Sequence, residues 1–255
     1  MSQAGGLAAV ILHYGRADLT RRLHEQLRES DPGFAGLFVL DNHAPEPYPG
    51  AWLRTDGNLY WAGAFDLAAR LMREQGASHL WFMNNDIFFT SRPPHIARAW
   101  ARLQKLDKTV GRVGMYAPAV DKSPYHPQMI ADPLFQYRLT SVMDGVSPLV
   151  SLECLEAIGG LDFADNPRGY GVDMALSLRM KAAGWALVVD HQLVVRHAYH
   201  SAARAVPGFL DAAAQAEAAY LKKRLGPGFR EAVAAAKREF TDYETFQNIA
   251  GESAS

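Results

Sequence analysis

The chain has 255 residues, of which 49% are hydrophobic and 21% are charged, and its formal net charge is −1. This composition is typical of a globular protein and excludes a chain that is disordered along its length. A chain so close to neutrality has no broad basic surface, so we expect no nucleic-acid partner. A local positive pocket for a small anionic ligand is compatible with the same charge.

Cys154 is the only cysteine, so the chain forms neither an internal disulfide nor a cysteine-based zinc site. The absence of a disulfide framework favours a reducing, cytoplasmic compartment. The apolar run "LAAVIL" is short for a signal sequence, and no stretch approaches the roughly 18–20 apolar residues of a membrane span. We therefore expect a cytoplasmic protein whose membrane contact, at the inner face, would be peripheral.

The first half of the chain alternates between predicted strands and helices. Apolar runs predict buried strands at 7–12, 36–42, 79–83 and 110–118, and helical periodicity predicts helices at 17–30, 62–76 and 93–105. The third helix would carry Pro93 and Pro94 in its first turn. This alternation is typical of an α/β fold with a Rossmann-like, mostly parallel central sheet flanked by helices.

The second half is less regular. We predict an irregular segment at 119–150, a short helix at 151–160 capped by Ser151, a loop and helix within 169–185, and short strands at 186–190 and 193–197. The residues after 205 are predicted to form a helical tail, with Phe229, Val233, Ala236 and Phe240 on one stripe. Such a tail would pack on the sheet domain or mediate self-association into a homo-oligomer.

Polar residues gather where three predicted strands end. The segments are "HYGR" (13–16), "DNH" (41–43) and "NND" (84–86). Ligands of open α/β sheets bind beyond the carboxyl ends of the strands, so we expect these segments to share one binding site.

Three residues in or near such segments could carry chemistry. Asp86 fits an Asx turn, but it also fits Mn²⁺ or Mg²⁺ arriving with a diphosphate. Asp173 follows a Gly-Tyr-Gly loop; it would stabilise a helix dipole, or act as a general base if its pKa were raised. His197 is either a hydrogen-bonded structural residue or a ligand for an Mn²⁺-type ion, and His200 and Ser201 are weaker candidates of the same kind.

Seven segments in order resemble family 2 of the nucleotide-sugar glycosyltransferases, which have the GT-A fold, and most closely its rhamnosyltransferase-type branch. The resemblance covers roughly residues 7–201. It is carried by "AAVILHYGRADLTRRL", "VLDNHA", "NLYWAGAFDLA", "WFMNNDI", "SLECLEAIGGLDF", "GYGVDMALSLRMKAAGW" and "VVRHAYHS".

The resemblance implies an inverting glycosyltransferase. It would move a sugar from a UDP- or dTDP-type nucleotide sugar to a hydroxyl of a glycan, glycolipid or other acceptor, as in bacterial glycan assembly. The domain implied is 1–204, with a nucleotide-sugar-binding half (1–118) and an acceptor and catalytic half (119–204), followed by a helical extension (205–255).

The resemblance also implies roles for individual residues. Asp173 would be the general base that takes the proton from the acceptor hydroxyl, and Asp86 with His197 would hold Mn²⁺ or Mg²⁺. The implied donor-binding residues are His13, Tyr14, Arg16, Asp41, Asn58, Trp61, Asn84, Asn85 and Asp86. The candidates for acceptor contacts are Tyr125, His126, Asp144 and Tyr170.

The chain departs from the pattern at four positions. Tyr60 and Asp66 replace a glycine and an asparagine near the donor. Val172 replaces the glutamate before Asp173, and Ala175 replaces a second aspartate. The acidic cluster of the motif is thereby reduced to Asp173, which removes negative charge that would raise the pKa of that base.

Two other hypotheses stay open. A nucleotidyltransferase can share this architecture, but it normally carries a Gly-rich phosphate loop with Lys or Arg after the first strand, where this chain has "HYGRADL". A non-catalytic sugar-nucleotide-binding or assembly subunit would account for the reduced acidic motif.

Overall fold

The computed structural model of the chain describes residues 6–199 and 207–246. The strands are β1 (Leu7–His13), β2 (Leu37–Asp41), β3 (Leu53–Arg54), β4 (His79–Asn84), β5 (Ile87–Phe89), β6 (Val113–Val120), β7 (Tyr137–Thr140), β8 (Leu149–Ser151), β9 (Ala186–His197) and β10 (Phe240–Tyr243). The helices are α1 (Ala17–Ser30), α2 (Tyr60–Glu74), α3 (Ile96–Val110), α4 (Leu152–Ala157), α5 (Val172–Ala182), α6 (Phe209–Leu225) and α7 (Phe229–Ala236).

The strands form one sheet in the order β10-β7-β9-β6-β8-β4-β1-β2-β3, and β5 pairs with β9. Pairing is parallel across β3-β2-β1-β4 and between β6 and β9, and antiparallel elsewhere. The prediction of an α/β sheet flanked by helices is confirmed. The sheet is mixed, because β8 runs antiparallel between β4 and β6.

The centre of the sheet is buried on both faces. In β1 every residue after Leu7 is buried, and Leu80, Trp81, Phe82 and Met83 of β4 are fully buried. Unbroken apolar runs are typical of such strands, because helices cover both faces of the sheet. The central strands are therefore rigid supports for the residues at their ends.

The prediction that prolines occupy the first turn of the third helix is wrong. Pro93 and Pro94 precede α3, which begins at Ile96. The carboxylate of the buried Asp31 accepts hydrogen bonds from the backbone N–H groups of His95, Ile96 and Ala97 at 2.8–2.9 Å. The start of α3 is thus stabilised by a distant acid that supplies the missing hydrogen-bond partners.

The segments predicted as irregular and as two short strands contain more regular structure than expected. Residues 186–197 form one strand of 12 residues, β9. Strand β9 pairs with β6, and the register of this pairing shifts between Pro118 and Ala119. The shift allows β9 to continue as one strand past Asp190, where the polar residues suggested a break. The segment 119–150 contains β7 and the start of β8.

The end of the chain is not wholly helical. Helix α7 stops at Ala236, and Phe240 lies in β10, which pairs with β7 at the edge of the sheet. Arg138 fastens this strand through two hydrogen bonds to the carboxylate of Asp242, at 2.7 and 2.8 Å. Phe240 therefore does not share the helical stripe, although Phe229 and Ala236 are buried as predicted.

Within the described residues, no helix combines the length and the apolar character needed to cross a membrane.

Candidate functional site

A cavity of about 810 Å³ lies at the carboxyl ends of β1, β2 and β4. Residues from the other half of the sheet reach the same edge: the backbone N–H of Asn84 donates to the carbonyl of Val146 at 2.9 Å, and Ile87 pairs with His197. The predicted site residues that line the cavity are Tyr14, Asn58, Trp61, Asn84, Asn85, Asp86, Tyr125, His126, Asp144, Tyr170, Asp173 and His197.

His13 and Arg16 are not among the residues lining this cavity. The ring of His13 is fully buried and contacts the hydroxyl of Thr20 and the carbonyl of Glu46, each at 2.7 Å. Arg16 is exposed and pairs with Asp18 in the first turn of α1. His13 thus joins the end of β1 to α1 and to the loop after β2, and Arg16 contacts its neighbour at the protein surface.

Asp41 is also outside the cavity lining. Its fully buried carboxylate accepts hydrogen bonds from the N–H groups of Ala44 and Tyr48 and from the guanidinium of Arg54, at 2.7–3.0 Å. Burial alone would raise the pKa of Asp41, but these donors hold it below its ordinary value. The carboxylate stabilises the loop after β2, and its neighbour Asn42 lines the cavity instead.

Asn42 and Asn58 fix the start of α2 beside the cavity. The amide of Asn42 donates to the side-chain oxygen of Asn58 at 3.0 Å and accepts from the N–H of Leu59 at 2.8 Å. Tyr60 has a φ of 55°, a conformation that glycine adopts without strain. This is a position at which the resemblance has glycine, so the amide network holds a left-handed backbone although the residue is tyrosine.

Asn85 joins the end of β4 to the loop after β1. Its amide donates to the hydroxyl of Thr20 at 2.8 Å and points toward the carbonyls of Tyr14 and Arg16, each at 3.4 Å. The tight turn between β4 and β5 thus has one asparagine committed to the fold, while Asp86 lies at the cavity.

Asp86 and His197 face each other across this turn. Nε2 of His197 lies 3.2 Å from Oδ1 of Asp86, and the two side chains are 7% and 10% exposed. The Nδ1 atom of His197 has no hydrogen-bond partner among residues 6–199 and 207–246. In that same part of the chain no group of three or more His, Cys, Asp or Glu could hold a metal ion.

The pair therefore offers a metal ion at most two protein ligands. Such a set suits Mg²⁺ or Mn²⁺ only where the ion takes further ligands from water or phosphate oxygens. The candidates His200 and Ser201 lie outside the described residues.

Asp173 lies at the start of α5, as predicted. Its carboxylate accepts hydrogen bonds from the N–H of Gly145 at 2.9 Å and from the N–H of Met174 at 2.8 Å. Burial and the nearby charge of Asp144 raise its pKa above the ordinary value, against the effect of these two donors. Asp173 therefore has the environment of a proton acceptor rather than that of a simple helix cap.

Acids from outside the motif surround Asp173. Asp144 comes from the loop before β8, and Glu217 comes from α6; both line the cavity. Burial and the charge of Asp173 raise the pKa of Glu217. The negative charge absent at Val172 is thus supplied by residues distant in sequence. No motif marks Glu217, which lies in an Ala-rich helix together with one other acid, Asp211.

His126 lies beside this cluster, with Nε2 3.8 Å from Oδ2 of Asp144. Burial and the charge of Lys237 lower the pKa of His126 to about 4. The imidazole is therefore neutral near pH 7, and its contact with Asp144 is not an ion pair there.

Aromatic rings form the side of the cavity near α6. The ring of Phe209 lies 6.3 Å from that of Tyr60 and 6.1 Å from that of Tyr170. Tyr125, 47% exposed, lies with its ring 5.7 Å from that of Tyr199. Sequence reasoning missed Phe209 because it lies in the predicted tail, outside the resemblance.

Comparison with known sequences gives distant relatives. No protein-family model matches the chain. It is 26% identical over 196 residues to the uncharacterised proteins Rv1525 of Mycobacterium tuberculosis and Mb1552 of Mycobacterium bovis, over 72% of this chain and 70% of each relative.

Comparison with solved structures identifies the fold. The chain is similar to GalNAc-T7, a GT-A glycosyltransferase crystallised with UDP, GalNAc and Mn²⁺, with a TM-score of 0.56 and 12% identity. The similarity covers 75% of this chain and 43% of that one, so the chain spans less than half of GalNAc-T7. A weaker match is A197 from STIV, with a TM-score of 0.47, 9% identity and coverage of 75% of this chain and 85% of that one. The chain thus has a mixed α/β fold similar to that of a GT-A glycosyltransferase.

Gly145 offers a test of the packing around Asp173. A Cβ atom at this position would lie 2.9 Å from the ring of Trp61 and 3.3 Å from Cβ of Asp173. We expect Gly145→Ala to lower the free energy of unfolding by about 1–3 kcal/mol, because the ring or the helix must shift. Urea denaturation measures this change. Gly57→Ala is the control, since nothing lies within 4 Å of its added Cβ; equal stability of the two variants would contradict the packing argument.

Proposed function

We propose that the protein is an inverting glycosyltransferase that uses a nucleoside-diphosphate sugar. The observation that carries the proposal is the meeting, in one cavity, of a base with a raised pKa, Asp173, and the Asp86–His197 pair. The similarity of the fold to that of a glycosyltransferase crystallised with UDP and Mn²⁺ supports it. The donor would be of the UDP or dTDP type, and the role one in bacterial glycan assembly, of the rhamnosyltransferase-type branch.

In the proposed reaction Asp173 takes the proton from a hydroxyl of the acceptor. The acceptor oxygen attacks the anomeric carbon as the bond from that carbon to the diphosphate oxygen breaks. Attack opposite the leaving group inverts the anomeric centre. A divalent ion held by Asp86 and His197 would neutralise charge on the leaving nucleoside diphosphate.

Each part of the chain has a place in this proposal. The donor half is 1–118 and the acceptor half is 119–204, where Tyr125, His126, Asp144 and Tyr170 line the cavity. The extension after 205 would belong to the acceptor side, because α6 brings Phe209 and Glu217 to the same cavity. Peripheral membrane contact and self-association through α6 and α7 remain predictions from the sequence.

The general base is tested by Asp173→Asn, which keeps the shape and an acceptor for the Gly145 N–H. The assay measures release of nucleoside diphosphate from UDP- and dTDP-sugars in the presence of Mn²⁺ and a panel of glycoside acceptors. We expect the rate of release to fall roughly 10²–10⁴-fold in the variant. The control is Glu29→Gln, which makes the same change from acid to amide at an exposed position of α1 outside the cavity lining. Activity of Asp173→Asn equal to that of the unsubstituted protein would refute this assignment. Nucleotide binding without turnover over the whole panel would favour the non-catalytic subunit.

The metal is tested by chelation. We expect excess EDTA to abolish sugar transfer and to weaken donor binding, and Mn²⁺ to restore both, because the Asp86–His197 pair offers the ion two ligands and the donor phosphates would supply others. Calorimetry with the donor separates binding from turnover. His197→Gln should raise the Mn²⁺ concentration needed for half-maximal activity. Unchanged transfer and unchanged donor affinity in EDTA would contradict the metal's role.

The influence of Asp144 on the base is tested by the pH profile. Because the charge of Asp144 raises the pKa of Asp173, its removal in Asp144→Asn should lower that pKa. A base must be deprotonated to act, so kcat/KM falls as the pH drops through the pKa of the base. This acidic limb of the pH profile should therefore lie at lower pH in the variant. Asp211→Asn is the control, since Asp211 also lines the cavity but is not among the main causes of the shift in the pKa of Asp173. A limb that stays in place or moves upward would exclude this coupling.

A further inference from the structure

Acids outnumber permanently cationic side chains in the lining of the cavity, which is unfavourable for a diphosphate ligand. Among the described residues that line it, the acids are Asp86, Asp144, Asp173, Asp211 and Glu217, and the permanently cationic side chains are Arg168 and Lys237. A diphosphate brings further negative charge, and like charges in a partly buried site repel strongly. A protein cation facing the phosphates would offset this repulsion in addition to any metal ion.

Lys237 is already engaged with other groups. Its ammonium donates to the carbonyl of Tyr125 at 3.1 Å. Its charge also opposes the rise in the pKa of Glu217 and lowers that of His126. Lys237 thus compensates for the acid on α6.

Arg168 is not engaged in this way. Its side chain makes no hydrogen bond or ion pair with residues 6–199 or 207–246, and its Nε atom is buried without a hydrogen-bond partner. A guanidinium whose Nε donor is buried and unused is costly unless a ligand satisfies that donor. Arginine also presents paired donors that match the geometry of a phosphate.

The loop that carries Arg168 is held rigidly. The side-chain amide of Asn166, which is fully buried, donates to the carbonyl of Tyr170 at 2.7 Å, and the N–H of Gly169 donates to the carbonyl of Asn166 at 3.0 Å. Gly169 lies so close to α2 that a Cβ would be 3.2 Å from the nitrogen of Ala62. The backbone on either side of Arg168 is therefore fixed against the start of α2.

The same loop lines the cavity together with the Asp86–His197 pair. Burial and the charges of Glu217 and Asp86 raise the pKa of Tyr170, so Asp86 acts on a residue only two positions from Arg168. Both residues line the cavity, as does Asp86. Arg168 and the Asp86–His197 pair thus line one and the same cavity.

We propose that Arg168 binds the diphosphate of the donor and stabilises the charge on the leaving nucleoside diphosphate. This inference rests on the proposed function and adds a cation that no segment of the resemblance contains. It also accounts for a site in which Asp86 is the only carboxylate of its motif: part of the phosphate charge is met by the guanidinium rather than by the metal ion.

The test is calorimetric binding of nucleoside diphosphates to the full chain with Mn²⁺. UDP, dTDP, GDP and ADP are compared first, and the tightest is used with Arg168→Ala, Arg168→Gln and Arg168→Lys. We expect Kd to rise about 10–100-fold in the alanine and glutamine variants and less in the lysine variant, as for the loss of a charged hydrogen bond. Affinity for the corresponding nucleoside, which has no phosphate, should be unchanged.

Arg70→Ala is the matched control, because Arg70 is an exposed arginine on α2 that is absent from the cavity lining. A Kd in the folded Arg168 variants within twofold of the Arg70→Ala value would overturn the inference and leave the proposed function standing. An equal loss of nucleoside affinity would overturn it too, since it would indicate a distorted loop. If none of the four nucleoside diphosphates binds to the unsubstituted protein, the proposed function itself is overturned.

Discussion

The hydrogen bond from the N–H of Gly145 to the carboxylate of Asp173 is the contact on which the site depends. It joins the first turn of α5 to the loop that enters β8, and the ring of Trp61 from α2 fills the space beside it. Three elements distant in sequence are thereby fixed around one carboxylate. Because Gly145 has no side chain, they approach more closely than any other residue would allow, and Asp173 stays buried enough for its pKa to rise.

Sequence patterns predicted the parts of the fold that depend on local periodicity. The bounds of α1 and the three buried strands β1, β2 and β4 follow from apolar runs and helical spacing, and these elements alone place the polar strand ends at one edge. The strands that sequence patterns missed are all short: β3, β5, β7, β8 and β10. Two of them, β7 and β10, lie at one side of the sheet, where β10 is the edge strand. Their existence depends on pairing with β9 and with each other, and on the Arg138–Asp242 contact, so no local pattern could have shown them.

Part of the site was also predictable from sequence patterns. Asp86, His197 and Asp173 follow strands or begin a helix, where the topology of an α/β sheet brings side chains together. His13, Arg16 and Asp41 have the same kind of position in the sequence, yet their side chains make contacts outside the cavity. Glu217 comes from a helix that joins the site only through tertiary packing, because Gly171 leaves room for its side chain. A short motif shows neither the direction in which a side chain points nor the contacts it makes with elements distant in sequence.

The acids around Asp173 have opposite effects on the two steps of the proposed reaction. They strengthen the base, since each negative charge favours the protonated form of Asp173. They also oppose the arrival of a diphosphate in the same cavity. In the proposed reaction the donor must therefore bring a divalent ion with it, because Asp86 and His197 alone supply too few ligands to hold one firmly. In the same proposal the guanidinium of Arg168 meets the remaining charge without an ion. Arg168 lies on the loop that leads into Asp173, so one segment would carry both the cation for the leaving group and the base for the acceptor.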